Sequence, residues 1–342
     1  MDFYEEKVDF IAHNISLGNL SCKIRYDDVE KLYRKMLCMR YMDESISKMY
    51  SRGLIRGFCH LDIGQEEVYA ALCHVARNDK FIGSYRCHAL AVAAEIPVRE
   101  IVGELLGRAG GVAKGKGGSM HLYNDLLFGG HGIVGAQVPL GCGMAYALKY
   151  NEGLEDVRDT TSKAVVFCFY GDGASNQGQI HESFNVAKIW NLPIVFVVVN
   201  NAYSMWTCVA DACANDDFYK RADFLPGLRV LGRSIFAVTR CLEVSREHAL
   251  QKGPLIVQID TYRLCGHSTT DGIVYRDETE VRRERERNAL GHTESALVQR
   301  FGAEHIAAIK ADVRSHVAHE VDVALAMLEP EPTELFRDVV KN

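Results

Sequence analysis

Two polar motifs in the middle of the chain have residue types that suit a metal ion bound to phosphate. The tripeptide GDG at 171–173 directly follows the apolar run AVVFCFY, and the pair NN at 200–201 closes the run PIVFVVVN. Both runs are continuous and rich in β-branched and aromatic residues, as buried parallel strands are. Ligands bind at the carboxyl ends of such strands, so we expect Asp172 and Asn201 to face one site. A carboxylate, an amide oxygen and a backbone carbonyl together form a hard-oxygen set that suits Mg2+.

The GDG motif also permits two other interpretations, a dinucleotide-binding loop or a plain turn between a strand and a helix. The dinucleotide fingerprint GxGxxG requires a third glycine, and GDGASN has Asn176 there. An aspartate between the glycines would also repel a pyrophosphate unless a divalent cation were present. The glycines let backbone N–H groups approach phosphate, and the helix after Asn176 offers its positive N-terminus. We therefore favour a site for a metal ion and a diphosphate.

A second glycine-rich segment resembles a P-loop but does not complete it. GGVAKGKG at 110–117 contains G-x-x-x-x-G-K, but Gly117 stands where a P-loop requires Ser or Thr. The segment also follows a predicted helix, whereas a P-loop follows a strand. Kinase and ATPase functions are therefore excluded for this segment, and we interpret its lysines as solvated loop charges.

Three further side chains have the chemistry to bind phosphate or to move a proton. Tyr85 and Arg86 lie at the end of a short predicted strand, KFIGSY, where a phenol and a guanidinium could hold phosphate oxygens. His267 follows another strand end, and an imidazole can transfer protons near neutral pH. The alternatives are a surface arginine and a structural histidine, which are the more common roles of these residue types taken alone.

These residues need a sheet with helices around it to bring them together. Helices are predicted at about 27–50, 64–76, 98–107 and 177–190, and further strands at 80–85 and 254–262. The glycine-rich residues 110–135 are predicted to form an ordered loop without regular structure. We expect one α/β domain with a mostly parallel sheet, helices on both faces and helical additions at both ends.

The composition excludes several kinds of partner. Among 342 residues, 39 are Lys or Arg and 45 are Asp or Glu, a net charge of -6, so we expect neither nucleic-acid nor membrane binding. The eleven cysteines include no C-x-x-C pair, which favours free thiols in a reducing compartment over a zinc site. The acidic N-terminus MDFYEEKVDF has no import or secretion pattern. We expect a cytoplasmic protein, with a mitochondrial or reduced-organelle matrix as the alternative.

Seven segments, in matching order and spacing, point to one family. The chain resembles the alpha subunits of the pyruvate dehydrogenase first component, which are thiamine diphosphate enzymes, in RGFCH (56–60), GQE (64–66), YR (85–86), AKGKGGSMHLY (113–123), GIVGAQVPLG (132–141), GDGASNQGQIHE (171–182) and KRADFLPGLRV (220–230). The resemblance runs from about residue 26 to residue 330. It implies a thiamine diphosphate-binding α/β domain at 26–330, an N-terminal extension at 1–25 and a C-terminal tail at 331–342.

The resemblance also implies a role for each candidate side chain. It assigns Mg2+ to Asp172, Asn201 and the Tyr203 carbonyl; the diphosphate to Tyr85, Arg86, Gly173 and Ala174; and the aminopyrimidine to backbone atoms of Gly132 and Val134. By the same resemblance, His267 would contact the cofactor and act as the catalytic histidine. His60 would line the substrate end of the site as a second catalytic candidate.

The reaction that the resemblance implies requires partners. Pyruvate would be decarboxylated, and the acetyl unit would pass to a lipoyl group on an acyltransferase core. The family places the glutamate that activates the aminopyrimidine on a separate beta chain, so we expect an alpha2beta2 heterotetramer. The alternatives are an acetoin or branched-chain 2-oxo acid dehydrogenase alpha subunit, a nicotinamide-dependent dehydrogenase, and a partner subunit with weakened or lost activity.

The chain departs from the family pattern beside the proposed metal site. Where the family commonly has YGMGT, this chain has YSMWT, which places Ser204 and the bulky Trp206 next to the Tyr203 carbonyl. These changes permit a retuned or weakened enzyme, although none removes a predicted ligand. Ser268 matches the family's phosphorylated serine, but the companion serine is absent, so we expect no kinase control.

Overall fold

The computed structural model describes residues 2–18, 20–152 and 163–338, in which strands and helices alternate. The strands are β1 Phe3–Lys7, β2 Ile11–His13, β3 Ser21–Arg25, β4 Lys80–Ser84, β5 Leu127–His131, β6 Val166–Gly171, β7 Ile194–Asn200, β8 Tyr203–Ser204, β9 Thr207–Cys208, β10 Gly227–Leu231 and β11 Leu255–Asp260. The helices are α1 Tyr26–Ser51, α2 Glu66–Val75, α3 His88–Ala93, α4 Val98–Leu105, α5 Gln137–Glu152, α6 Gly178–Ile189, α7 Val209–Ala212, α8 Ile235–Lys252, α9 Glu278–Glu286, α10 Ala289–Phe301 and α11 Ala303–Ala326.

The central sheet has the strand order β2-β10-β11-β7-β6-β4-β5. Its pairs are parallel except β10 with β2, which is antiparallel. Strands β6 and β7 are neighbours, as predicted, and their register places Gly171 opposite Val199. The motifs GDG and NN therefore lie side by side at the carboxyl edge of the sheet.

The central strands are mainly apolar because both faces of the sheet are covered, and the polar exceptions are Asn200 of β7 and Gln258 and Asp260 of β11. On β7, Val195 and Val197 pack in an apolar cluster that includes residues of α1, α2 and α8. The alternate residues Ile194 and Phe196 pack in a second cluster with residues of α5 and α6. The predicted α/β architecture, a mostly parallel sheet with helices on both faces, is confirmed.

The prediction of an irregular loop at 110–135 is wrong for Leu127–His131, which form the edge strand β5. This strand pairs in parallel with β4, and the register shifts between Phe81 and Gly83. Backbone hydrogen bonds to β4 stabilise this strand although it contains two glycines. A side chain at Gly130 would lie 2.5 Å from the Met120 carbonyl oxygen, so glycine is required by close packing.

The described residues among the first 25 take part in the fold. Strands β1 and β3 form an antiparallel pair, and β2 extends the central sheet at β10. The division into 1–25, 26–330 and 331–342 stays a prediction, and residues 1, 19, 153–162 and 339–342 lie outside the described parts. Within the ranges described, no helix is both long and apolar enough to cross a membrane.

Candidate active site

A cavity of about 290 Å3 opens at the carboxyl ends of β6 and β7. The sequence-predicted residues that line it are Tyr85, Arg86, Val134, Asp172, Gly173, Ala174, Asn201, Tyr203 and His267. His60 lies beside these residues, with its ring centroid 4.5 Å from that of Tyr85 and 5.2 Å from that of His267. Gly132 follows β5, just before Val134, and is not part of the lining. The structure thus brings residues from five separate sequence segments around one space.

Asp172 supplies a buried carboxylate to this cavity. The residue is 3% exposed, and it makes no ion pair with the described Lys, Arg or His side chains. Its Oδ2 accepts a hydrogen bond of 2.5 Å from the Ser204 hydroxyl. Burial raises the pKa of Asp172, and the hydrogen bond from Ser204 opposes that rise. A carboxylate buried in this way needs a cation to be stable as an anion.

Two other oxygens in the cavity converge on one positive group. The Arg263 guanidinium donates to Asn201 Oδ1 and to the Tyr203 carbonyl oxygen, each at 3.3 Å. Asn201 Nδ2 donates to Gln65 Oε1 at 2.8 Å, which fixes the orientation of its amide. The sequence analysis did not assign roles to Gln65 or Arg263. Gln65 lies within the quoted segment GQE, but Arg263 lies 62 residues from Asn201, and only the fold shows their contact.

Arg86 links the end of β4 to the segment that carries His267. Its Nη1 donates to the Leu61 carbonyl oxygen at 2.6 Å and its Nη2 to the His267 carbonyl oxygen at 2.8 Å. The guanidinium is buried, and its two hydrogen bonds hold the His267 backbone at the cavity wall. The predicted contact of Arg86 with a diphosphate stays a prediction.

The two histidines of the site are neutral near pH 7. Burial, with the positive charge of Arg86 and Arg263, lowers the pKa of His267 to about 4. Burial and Arg86 lower the pKa of His60 to about 3. In the described residues, Nδ1 of each ring is buried without a hydrogen-bond partner. Neutral imidazoles with a free ring nitrogen can accept a proton from a bound molecule or orient it.

The residues present fit a divalent ion and a polar cofactor. Asp172 offers a buried carboxylate that makes no direct ion pair in the described residues, and Asn201 and Tyr203 offer two neutral oxygens that already converge on a cation. Gln137 lines the cavity, and its Oε1 is buried without a partner among the described residues. Groups of three or more His, Cys, Asp or Glu suited to a metal do not occur in the described ranges. The predicted metal ligands do not form such a group, because Asp172 is the one acidic residue among them and the other two ligands are an amide oxygen and a backbone carbonyl.

The glycine-rich segment at 110–117 does bind an anion, but the anion is part of the chain itself. The fully buried Glu104 carboxylate accepts hydrogen bonds of 2.6 to 3.0 Å from the backbone N–H groups of Ala113, Gly115, Gly117 and Gly118. These N–H groups are therefore not free for a nucleotide phosphate. Lys114 and Lys116 are solvent-accessible, as expected, and they form surface ion pairs with Asp338 at 2.9 and 2.8 Å.

Comparison with known proteins identifies the family. Residues 33–333 match the family described as "Dehydrogenase E1 component". The mitochondrial pyruvate dehydrogenase E1 component subunit alpha of Chaetomium thermophilum is 43% identical over 338 residues, covering 96% of this chain and 80% of the relative. The mitochondrial subunit alpha-1 of Arabidopsis thaliana is 39% identical over 343 residues, covering 98% and 86%. The mitochondrial somatic form of subunit alpha from Homo sapiens is 41% identical over 315 residues, covering 90% and 78%. The chain therefore belongs to the dehydrogenase E1 component family, which depends on thiamine diphosphate and a divalent metal ion.

Proposed function

We propose that this chain is the alpha subunit of a thiamine diphosphate-dependent pyruvate dehydrogenase. The reaction is the oxidative decarboxylation of pyruvate with transfer of the acetyl unit to a lipoyl group. The observation that carries the proposal is the set of three oxygens at the carboxyl edge of the sheet, from Asp172, Asn201 and Tyr203. The names of the relatives, all pyruvate dehydrogenase alpha subunits, support pyruvate as the substrate.

The proposed ligands are those that the family resemblance assigns, and all of them except Gly132 line the cavity. Asp172, Asn201 Oδ1 and the Tyr203 carbonyl would hold Mg2+, which would neutralise the buried carboxylate and the charge of a diphosphate. The diphosphate contacts are Tyr85, Arg86, Gly173 and Ala174, and the aminopyrimidine contacts are the backbone atoms of Gly132 and Val134. We also propose that residues 26–330 form the diphosphate-binding domain.

The chain's own residues orient the substrate and handle its proton. When bound, thiamine diphosphate supplies the electron sink for loss of CO2 from a 2-oxo acid. His267, neutral and held through its carbonyl oxygen by Arg86, accepts or returns a proton through its imidazole ring. His60 packs on the Tyr85 ring and lies next to the His267 ring. The buried guanidinium groups of Arg86 and Arg263 stabilise negative charge in the cavity.

A beta subunit is the proposed structural partner. Exposed apolar residues project from α5 and from the end of α6, and the main ones are Leu140, Tyr146, Tyr150 and Trp190. Tyr146 packs on Trp190, with ring centroids 5.3 Å apart, so this apolar face is continuous across the two helices. An exposed apolar face of this kind fits a permanent protein interface. A lipoyl domain of an acyltransferase core is the proposed second partner.

The decisive experiment is co-expression of this chain with a beta subunit, followed by an assay of pyruvate-dependent reduction of an artificial electron acceptor. We expect activity only when thiamine diphosphate and Mg2+ are both present. Acetoin and branched-chain 2-oxo acids serve as parallel substrates, and faster turnover of either would contradict pyruvate. A complex that binds the cofactor but turns over none of the three would show a partner subunit without activity.

The compartment is proposed from the relatives. Their names describe mitochondrial proteins, which supports the mitochondrial alternative. The cytoplasmic expectation stays a prediction. Imaging of the full-length chain with an epitope tag at its C-terminus, beside a mitochondrial marker, distinguishes the two.

A further inference from the structure

Ser204 lies on a short hairpin whose backbone leaves it little freedom. It forms the two-residue strand β8 with Tyr203 and pairs with Thr207 of β9. The residues on either side of β8, Ala202 and Met205, have φ values of 70° and 55°. Non-glycine residues adopt these left-handed conformations at a cost, so the surrounding contacts hold this loop in place.

The Ser204 side chain bridges the hairpin to the end of β6. Its hydroxyl donates to Asp172 Oδ2 at 2.5 Å and lies over Gly173, where an added Cβ would be 2.3 Å from it. Among the described side chains, this hydroxyl is the donor to the Asp172 carboxylate, and it bonds to Oδ2 and not to Oδ1, while backbone N–H groups of Asp172 and Asn201 also favour the carboxylate. The two oxygens of the carboxylate are therefore in different surroundings.

We propose that Ser204 is a positioning residue for the divalent metal ion, acting through Asp172. The hydroxyl occupies Oδ2 and fixes the carboxylate, which leaves Oδ1 as the oxygen for the ion. Hydrogen bonds to metal-ligating carboxylates orient them, and their loss typically weakens metal binding about 10- to 100-fold. This inference rests on the proposed function. The inference goes beyond that function because the family pattern commonly has glycine at this position, where this chain has a hydroxyl.

Metal binding can be measured separately from turnover. The complex with the beta subunit is prepared without metal and titrated with Mn2+ at saturating thiamine diphosphate, and free Mn2+ is measured by electron paramagnetic resonance. We expect Ser204→Ala to weaken Mn2+ binding about tenfold. Ser204→Thr keeps the hydroxyl, so we expect its affinity to stay within about twofold of the unmodified complex.

Thr207→Ala provides the matched control, because it removes a hydroxyl from the paired strand, where the side chain is exposed and makes no contact with Asp172. This variant should bind Mn2+ normally. Equal Mn2+ affinity of Ser204→Ala and the unmodified complex would overturn the inference, as would an equal loss in Thr207→Ala. If the unmodified complex binds no Mn2+, the proposed function itself is wrong. An unchanged thermal unfolding midpoint of the metal-free Ser204→Ala complex shows that its fold is intact.

Discussion

Gly173 and Ser204 occupy adjoining space at the cavity, and this contact can be tested by substitution. A Cβ at Gly173 would lie 2.3 Å from Ser204 Oγ and 2.8 Å from Ser204 Cβ, but 3.9 Å from Ser204 Cα. Gly173→Ala should therefore cost about 1–3 kcal/mol in the native background through overpacking. In a Ser204→Gly background the same change should cost little, since the obstructing atoms are gone.

The measurement is a double-mutant cycle on the metal-free complex, with denaturant unfolding as the readout. The backbone of Gly173 is in the ordinary right-handed helical region, with φ of -64°, so alanine introduces no backbone strain. Equal costs of Gly173→Ala in the two backgrounds would show that the Ser204 side chain does not fill this space.

Two adjacent buried glutamates at the start of α2 affect the stability of the native protein in opposite directions. Glu66 accepts from Arg40, with its Oε2 2.9 Å from Arg40 Nη2, and also from the Gly64 backbone N–H. Glu67 is equally buried but accepts from the Thr261 hydroxyl and has no paired cation among the described residues. Burial raises the pKa of Glu67 to about 8.

The raised pKa predicts how stability depends on pH. Below the ordinary value of 4.5, Glu67 is protonated in both the folded and the unfolded chain. As the pH rises towards 8, the unfolded chain loses this proton first, so the native protein loses stability. Glu67→Gln should remove this loss and stabilise the protein by roughly 3 kcal/mol at pH 7, with little effect near pH 4.5.

Glu66→Gln should destabilise the native protein at both pH values, because it breaks the ion pair with Arg40. Unfolding curves of the complex at pH 5, 7 and 8 test both, and a pH-independent effect of Glu67→Gln would contradict the assignment.

The elements differ in how well the sequence predicts them. Strands β6, β7 and β11 can be predicted from the sequence because both of their faces are buried and their residues are apolar, apart from Asn200 of β7 and Gln258 and Asp260 of β11. Their carboxyl ends then place Asp172 and Asn201 on one edge without any knowledge of the rest of the fold. Edge strands β2 and β5 are short, and β5 contains glycine, so pairing with a neighbour decides their conformation. The contacts of Arg263, Gln65 and Glu104 depend on tertiary approach, which no local pattern contains.

At the scale of the molecule, helix α5 covers the sheet but leaves its own outer face apolar and exposed. Helix α5 packs on β4 and β6 with one face and exposes Leu140, Tyr146 and Tyr150 on the other. Gly143 lies between these residues, and a Cβ built there meets nothing within 4 Å in the described chain. A glycine in the middle of a helix lowers the stability of that helix by about 1 kcal/mol relative to alanine. Its use is that another backbone can approach closely at that position. The exposed apolar residues around an unobstructed Gly143 therefore indicate that a partner packs directly against α5.

Gly143→Phe should therefore block assembly with the beta subunit while leaving the chain itself folded. The open space around Gly143 accommodates the new ring in the isolated chain, and loss of a glycine favours the helix. Gly291→Phe on α10 is the matched control, since a Cβ there meets only Asn288 Oδ1, at 3.8 Å. Light scattering after size-exclusion chromatography of each co-expressed pair gives the assembly state, and circular dichroism of the alpha chain reports its fold. Normal assembly of the Gly143→Phe pair would place the beta subunit elsewhere, whereas loss of assembly in both variants would mean that bulky surface residues in general disturb the complex.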